Sequence, residues 1–180
     1  MKKVLYIFGQ LSDEDIEWLI SNGKKERFGA GEVIIHKGQK IDKLYIGLDG
    51  KFSVFYGEND EIKVAELGAG EIVGEMSFVD STPPSATVKT EQDSFVYSIP
   101  RDRLKKKIVE DSGFASRFYH AIAIFLADRL RATVSLFGYG DGRHGPAEAE
   151  EPELDAMIMD TVSIAGDRFG RMLKRMIEGG

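Results

Sequence analysis

The pattern of apolar and polar positions changes period along this chain, and each change predicts a different element. Ile16, Leu19 and Ile20 recur at helical spacing behind Ser12, a natural N-cap, with Asp13, Glu14 and Asp15 in the first turn and Asn22-Gly23 at the end. From Arg27 the helical period gives way to short apolar runs at 33–35, 44–48, 52–56, 62–67 and 95–99. Glycine turns separate them, among them Asp49-Gly50, a hairpin signal, and the turn from Gly57 to Asp60. Strands at such regular spacing predict a mainly β domain with flanking helices, built as a jelly roll or barrel-like β-roll.

After Pro100 the helical period returns, predicting a short helix over 103–111 and a long one over 114–137. In the long one Phe118, Ile122, Leu126, Leu130 and Val134 recur every four residues, a stripe that predicts packing on the β-roll. Residues 138–153 hold four glycines, two prolines and five acids and read as a flexible linker. Residues 154–180 then carry a methionine-rich amphipathic helix, a face suited either to folding back on the core or to a protein partner. The expected organisation is a domain over 1–137, a linker over 138–153 and a tethered helix over 154–180.

Composition narrows the function classes. The net charge of −6 argues against nucleic acid as partner, because phosphate contacts call for a basic face. The basic cluster from Arg101 to Lys107 reads as a solvated helix face. No apolar run has the length of a membrane span, and the apolar start after Met1-Lys2-Lys3 is short for a signal peptide. Cysteine is absent, which removes disulfide, thiol and thiolate-metal chemistry and fits cytoplasmic residence. His36, His120 and His144 form no ligand pattern, and no nucleophile elbow or phosphate loop is present, so the chain reads as no enzyme and with no metal.

One stretch, Gly68 to Thr90, carries the chemistry. A glycine turn leads to Ile72-Val73; Gly74 frees the backbone before the acid Glu75; a short helical turn follows; Pro83-Pro84 then delivers Ser85, Ala86 and Thr87 to a strand. Glycine before a short helix lets backbone N–H groups approach an anion, and the carboxylate in the same turn suits a sugar hydroxyl. Gly74-Glu75-Met76-Ser77-Phe78 and Pro83-Pro84-Ser85-Ala86-Thr87-Val88 resemble, without a gap, the phosphate-binding cassette of cyclic nucleotide-binding domains. Lys37-Gly38, Leu44-Tyr45-Ile46 and Asp49-Gly50-Lys51 resemble the front half of the same family, so that the likeness runs over roughly residues 10 to 137.

The resemblance implies a regulatory β-roll that binds cyclic AMP or cyclic GMP and repositions the helices behind it. It implies that Glu75 accepts from the ribose 2′-hydroxyl, that Gly74, Met76 and Ser77 offer N–H groups, that Ser85, Ala86 and Thr87 face the cyclic phosphate, and that Thr133 on the long helix faces the purine. It also implies a homodimer through the long helix. The helix-turn-helix of the family's transcription factors has no counterpart here. At the position of the family's phosphate-pairing arginine this chain has Pro84, which has neither charge nor N–H. Lys51, Lys63, Lys89 and Arg101 are the candidate substitutes. Three readings stay open: a cyclic-nucleotide sensor with substitute contacts, a site for a different ligand, and a ligand-free domain of the same fold acting as a protein–protein interaction module.

Overall fold

The computed structural model describes residues 9–136 together with 166–168, 170, 171, 174 and 175. The expected linker at 138–153 lies outside the described residues, as do the first eight residues and most of the helix expected over 154–180; the described C-terminal positions are helical.

Helix α1 spans Asp13–Asn22. Its Ser12 cap is reciprocal: the Ser12 hydroxyl accepts from the Asp15 N–H at 3.2 Å, and the Asp15 carboxylate accepts from the Ser12 N–H at 2.8 Å. Eight strands follow: β1 (Lys24–Phe28), β2 (Val33–Ile35), β3 (Lys43–Asp49), β4 (Phe52–Tyr56), β5 (Ile62–Leu67), β6 (Ile72–Val73), β7 (Thr87–Thr90) and β8 (Ser94–Pro100). A short helix α2, Glu75–Asp80, sits between β6 and β7, and helices α3 (Arg101–Glu110) and α4 (Ser112–Leu136) close the domain.

The strands form two four-stranded antiparallel sheets, ordered β1-β8-β3-β6 and β2-β7-β4-β5. This is the predicted jelly-roll β-roll with flanking helices. Strand β1 was not marked by the pattern, because Lys24-Lys25-Glu26-Arg27-Phe28 alternates nothing apolar. It is an edge strand on β8, and charged side chains on an edge discourage further pairing.

Two apolar clusters hold the layers together. Ile34, Ile35, Tyr45, Phe52, Leu67, Val88 and Val96 fill the space between the sheets. A larger one packs α1, α3 and α4 on the first sheet, with Phe114, Phe118 and Phe125 almost wholly buried. Here the structure corrects the expected stripe on the long helix. Phe118 and Ile122 are buried, but Leu130 is 64% and Val134 45% exposed. At about 3.6 residues per turn a row of every fourth residue drifts around the helix, by about 160° from Phe118 to Val134. The core-facing row is instead Phe114, Phe118, Ala121 and Phe125, and its next member is Arg129.

Ion pairs from Arg117 and Arg129 fasten α4 to the rest. Near its start, Arg117 donates to both oxygens of Asp15 at 2.6 and 2.9 Å, so that the α1 cap and the long helix share one buried carboxylate. Further along, Arg129 pairs with Glu75 at the start of α2 and donates to the Ile72 carbonyl in β6.

Candidate functional site

The site is built where β6 ends. Gly74 adopts φ 91°, ψ 1°, the left-handed conformation that glycine takes at no steric cost. A Cβ there would also lie 2.7 Å from the Ile41 side chain. This turn starts α2, whose first internal hydrogen bond runs from the Phe78 N–H to the Gly74 carbonyl at 3.0 Å. The N–H groups of Glu75, Met76 and Ser77 therefore precede the first intrahelical bond, as at any helix start. Arg101 holds the turn from behind, donating to the Ser77 carbonyl at 2.7 Å and the Ile41 carbonyl at 2.9 Å.

Opposite α2, Pro83, Pro84 and Ser85 form the other wall, anchored by the Gly38 N–H donating to the Pro84 carbonyl at 2.8 Å. Between the walls lies a cavity of about 210 Å³. Gly74, Glu75, Met76, Ser77, Ser85 and Ala86 all line it, over a floor that includes Ile35, Val54, Leu67 and Val88. Six of the residues expected at the site are thus brought together around one open space. The other two lie elsewhere. Thr87 is buried, and its hydroxyl accepts from the Lys37 N–H at 3.3 Å and bonds the Asp60 carboxylate. Thr133 is exposed on α4, where its hydroxyl donates to the Arg129 carbonyl one turn back, at 2.9 Å.

Glu75 is the buried acid of the site, 2% exposed. Its carboxylate accepts from Arg129 Nη1 at 2.5 Å, while Arg129 Nη2 donates to the Ile72 carbonyl at 3.1 Å and lies 3.8 Å from Glu71. The guanidinium also stacks over the Phe125 ring, 4.8 Å from its centre. Burial pushes the Glu75 carboxyl above the ordinary carboxylate range, and Arg129 only partly pulls it back. Arg129 lines the cavity and was not among the expected site residues. Its signal was available: a cation four residues after Phe125 falls on the core face of the helix, where a charge needs a partner.

The four candidate substitutes for the missing arginine are all committed elsewhere. Lys51 pairs with Glu66 and Glu91 at 2.7 and 3.1 Å, and Lys63 with Glu66 at 2.9 Å and with Glu91. Lys89 pairs with Asp60 at 3.0 Å, and Arg101 holds the two carbonyls named above. Among the described residues lining the cavity the charges are therefore Glu75 and Arg129, paired with one another.

Residues 25–111 match the family model of the cyclic nucleotide-binding domain. It is 25% identical over 118 residues to a cAMP-dependent protein kinase regulatory subunit of Blastocladiella emersonii, covering 64% of this chain and 29% of that one. It is 27% identical over 167 residues to the lysophospholipase nte1 of Aspergillus niger, covering 89% of this chain and 10% of that one. The chain thus spans less than a third of the length of either relative. In fold it is similar to the catabolite activator protein of Thermus thermophilus, with a TM-score of 0.60 at 21% identity over 97% of this chain and 88% of that one. Among the described residues no helix is long and apolar enough to cross a membrane.

Proposed function

We propose that this domain is a non-enzymatic regulatory sensor of the cyclic nucleotide-binding type, in which a ligand in the β-roll competes with Arg129 for Glu75 and so acts on helix α4. The observation that carries the reading is the Glu75–Arg129 pair. The acid that the family resemblance assigns to the ribose hydroxyl is buried in the cavity wall and is held by a cation from the helix expected to move. A ribose 2′-hydroxyl that donates to Glu75 takes over part of that bond, and the two states then differ in how firmly α4 is tied to the cassette. That differential contact is what a ligand needs in order to shift a conformational equilibrium.

The size of the cavity supports the same coupling. At about 210 Å³ it is smaller than the roughly 300–1,000 Å³ of ordinary ligand pockets, so a nucleotide enters by widening it. Arg129 stands on that boundary. The exposed Leu130 and Val134, one and five residues further along α4, offer the apolar surface for the expected homodimer. A cytoplasmic, regulatory role fits these features, with any protein partner meeting the helices behind Pro100.

Affinity is the weak point of the site. An arginine–phosphate bond contributes about 1.5–3 kcal/mol, which at about 1.4 kcal/mol per decade is a 10- to 150-fold difference in Kd. Without it cyclic AMP or cyclic GMP is expected to bind more weakly by about that factor. The second reading, a ligand-free interaction module, is favoured by Pro84 and by the fact that Glu75 already has a partner. Amide NMR separates the two. Saturable shifts at Gly74, Glu75, Met76 and Ser77 during titration with cyclic AMP or cyclic GMP support the sensor. No shift at these amides with both nucleotides at several millimolar supports the module.

A further inference from the structure

The described part of the C-terminal helix carries arginines at 168, 171 and 175, a spacing of three and four that puts them on one helical face. They meet the acidic face of α1. Arg168 Nε donates to Asp13 at 2.8 Å and its Nη1 to the Leu11 carbonyl at 2.6 Å; Arg171 reaches Asp13 at 3.5 Å; Arg175 pairs with Glu17. The two acids, Asp13 and Glu17, are themselves one turn apart, and Ile16 and Ile20 lie on the same side, in the wall of a cleft of about 250 Å³ between the helices. The Arg168 side chain is only 15% exposed.

We propose that this contact is an electrostatic latch: the C-terminal helix closes on the acidic face of α1 as a separable element, held by Arg168, Arg171 and Arg175. Two features support it. Apart from the Arg168 bond to the Leu11 carbonyl, the polar contacts given above are charge pairs, and Asp13 and Glu17 remain more than half exposed, so salt reaches them. And α1 is the element that Asp15 and Arg117 tie to α4, so the latch sits on a helix already coupled to the rest of the domain. The surface that the latch covers is acidic with an apolar seam. When open, it fits a partner helix that presents arginines at the same spacing. The inference does not depend on any ligand in the β-roll.

The absence of cysteine makes the test clean. Ser21 and Gly170 are exposed, and Ser21→Cys with Gly170→Cys in the full chain places one spin label on each helix. Pulsed electron resonance at low ionic strength is expected to give a short, narrow distance distribution. At 1 M salt, where the Debye length falls to about 3 Å, the narrow component is expected to be lost while circular dichroism shows the β-roll intact. Arg168→Glu/Arg171→Glu/Arg175→Glu is expected to lose it at low salt, and adding Asp13→Arg/Glu17→Arg to that variant to bring it back. A distribution already broad at low salt overturns the latch. So does one that stays narrow both in 1 M salt and in the triple variant, since the contact is then not electrostatic.

Discussion

Arg129→Met is the substitution that exposes the central element of this domain. It keeps an unbranched apolar side chain at the position and removes the guanidinium, leaving the Glu75 carboxylate buried without its cation. Breaking a buried pair by removing one partner costs about 3–5 kcal/mol. Arg129 is 24% exposed, so water replaces part of the lost contact and the lower end applies, about 3 kcal/mol at pH 7. At about 2–4 °C per kcal/mol for a chain of this size, Tm falls by about 6–12 °C. The loss depends on pH in a defined direction. Glu75 already has a folded-state pKa above its unfolded value, and losing Arg129 raises it further. The folded state then holds a proton that the unfolded state releases, so stability falls as pH rises from the ordinary carboxylate value toward the raised one. Acidification removes the penalty, by up to about 1.4 kcal/mol per pH unit while Glu75 titrates. The assay is urea unfolding of wild type and variant at pH 5 and pH 7.5, with Glu75→Gln/Arg129→Met as the pair that removes both charges. The variant's deficit should shrink at pH 5, and the pair should recover much of it at pH 7.5. A deficit under about 1 kcal/mol, or one equal at both pH values, would refute the reasoning.

Three further outcomes follow from other parts of the molecule. Gly74→Ala forces a Cβ into the left-handed turn and toward Ile41, and should cost at least about 1–2 kcal/mol in urea unfolding; a neutral result would mean that the turn relaxes freely. Hydrogen bonds from Lys63, Ser53 and Lys51 hold the Glu91 carboxyl at about 2. Its stabilising contribution is present above the ordinary carboxylate value and is lost as pH falls through about 2, so Glu91→Gln should flatten the acid limb of the Tm–pH curve between pH 4.5 and 2. If Leu130 and Val134 form a homodimer face, Leu130→Ser should halve the mass seen by sedimentation equilibrium; an unchanged mass would place the interface elsewhere or show a monomer.

How far the sequence carried these conclusions depends on the range of each interaction. The cassette was legible because its parts are contiguous: Gly74 sets the turn, Glu75 follows it, and the Pro-Pro pair fixes the opposite wall. The strands between glycine turns were legible for the same reason. Arg129 was not, because its partner lies 54 positions away and because a row of every fourth residue on α4 pointed to Leu130 instead. Reading that helix at its true period puts Arg129 beneath Phe125, and a cation there is itself a signal. Thr87 and Thr133 show the converse. The family resemblance, through the cassette for Thr87 and the long helix for Thr133, places both at the ligand, whereas the folded chain commits one hydroxyl to neighbouring loops and the other to its own helix. The latch arginines are regularly spaced, but their acidic counterpart is more than 150 residues away, and no local pattern announces it.

The most direct test of the account is calorimetric titration of wild type and Pro84→Arg with cyclic AMP and cyclic GMP. If the cavity is a nucleotide site that lacks only its cation, the variant should bind one of them at least about tenfold more tightly than wild type, the gain of a single charge-assisted bond. Equal affinity in the two proteins, or no heat from either at millimolar nucleotide, would contradict it.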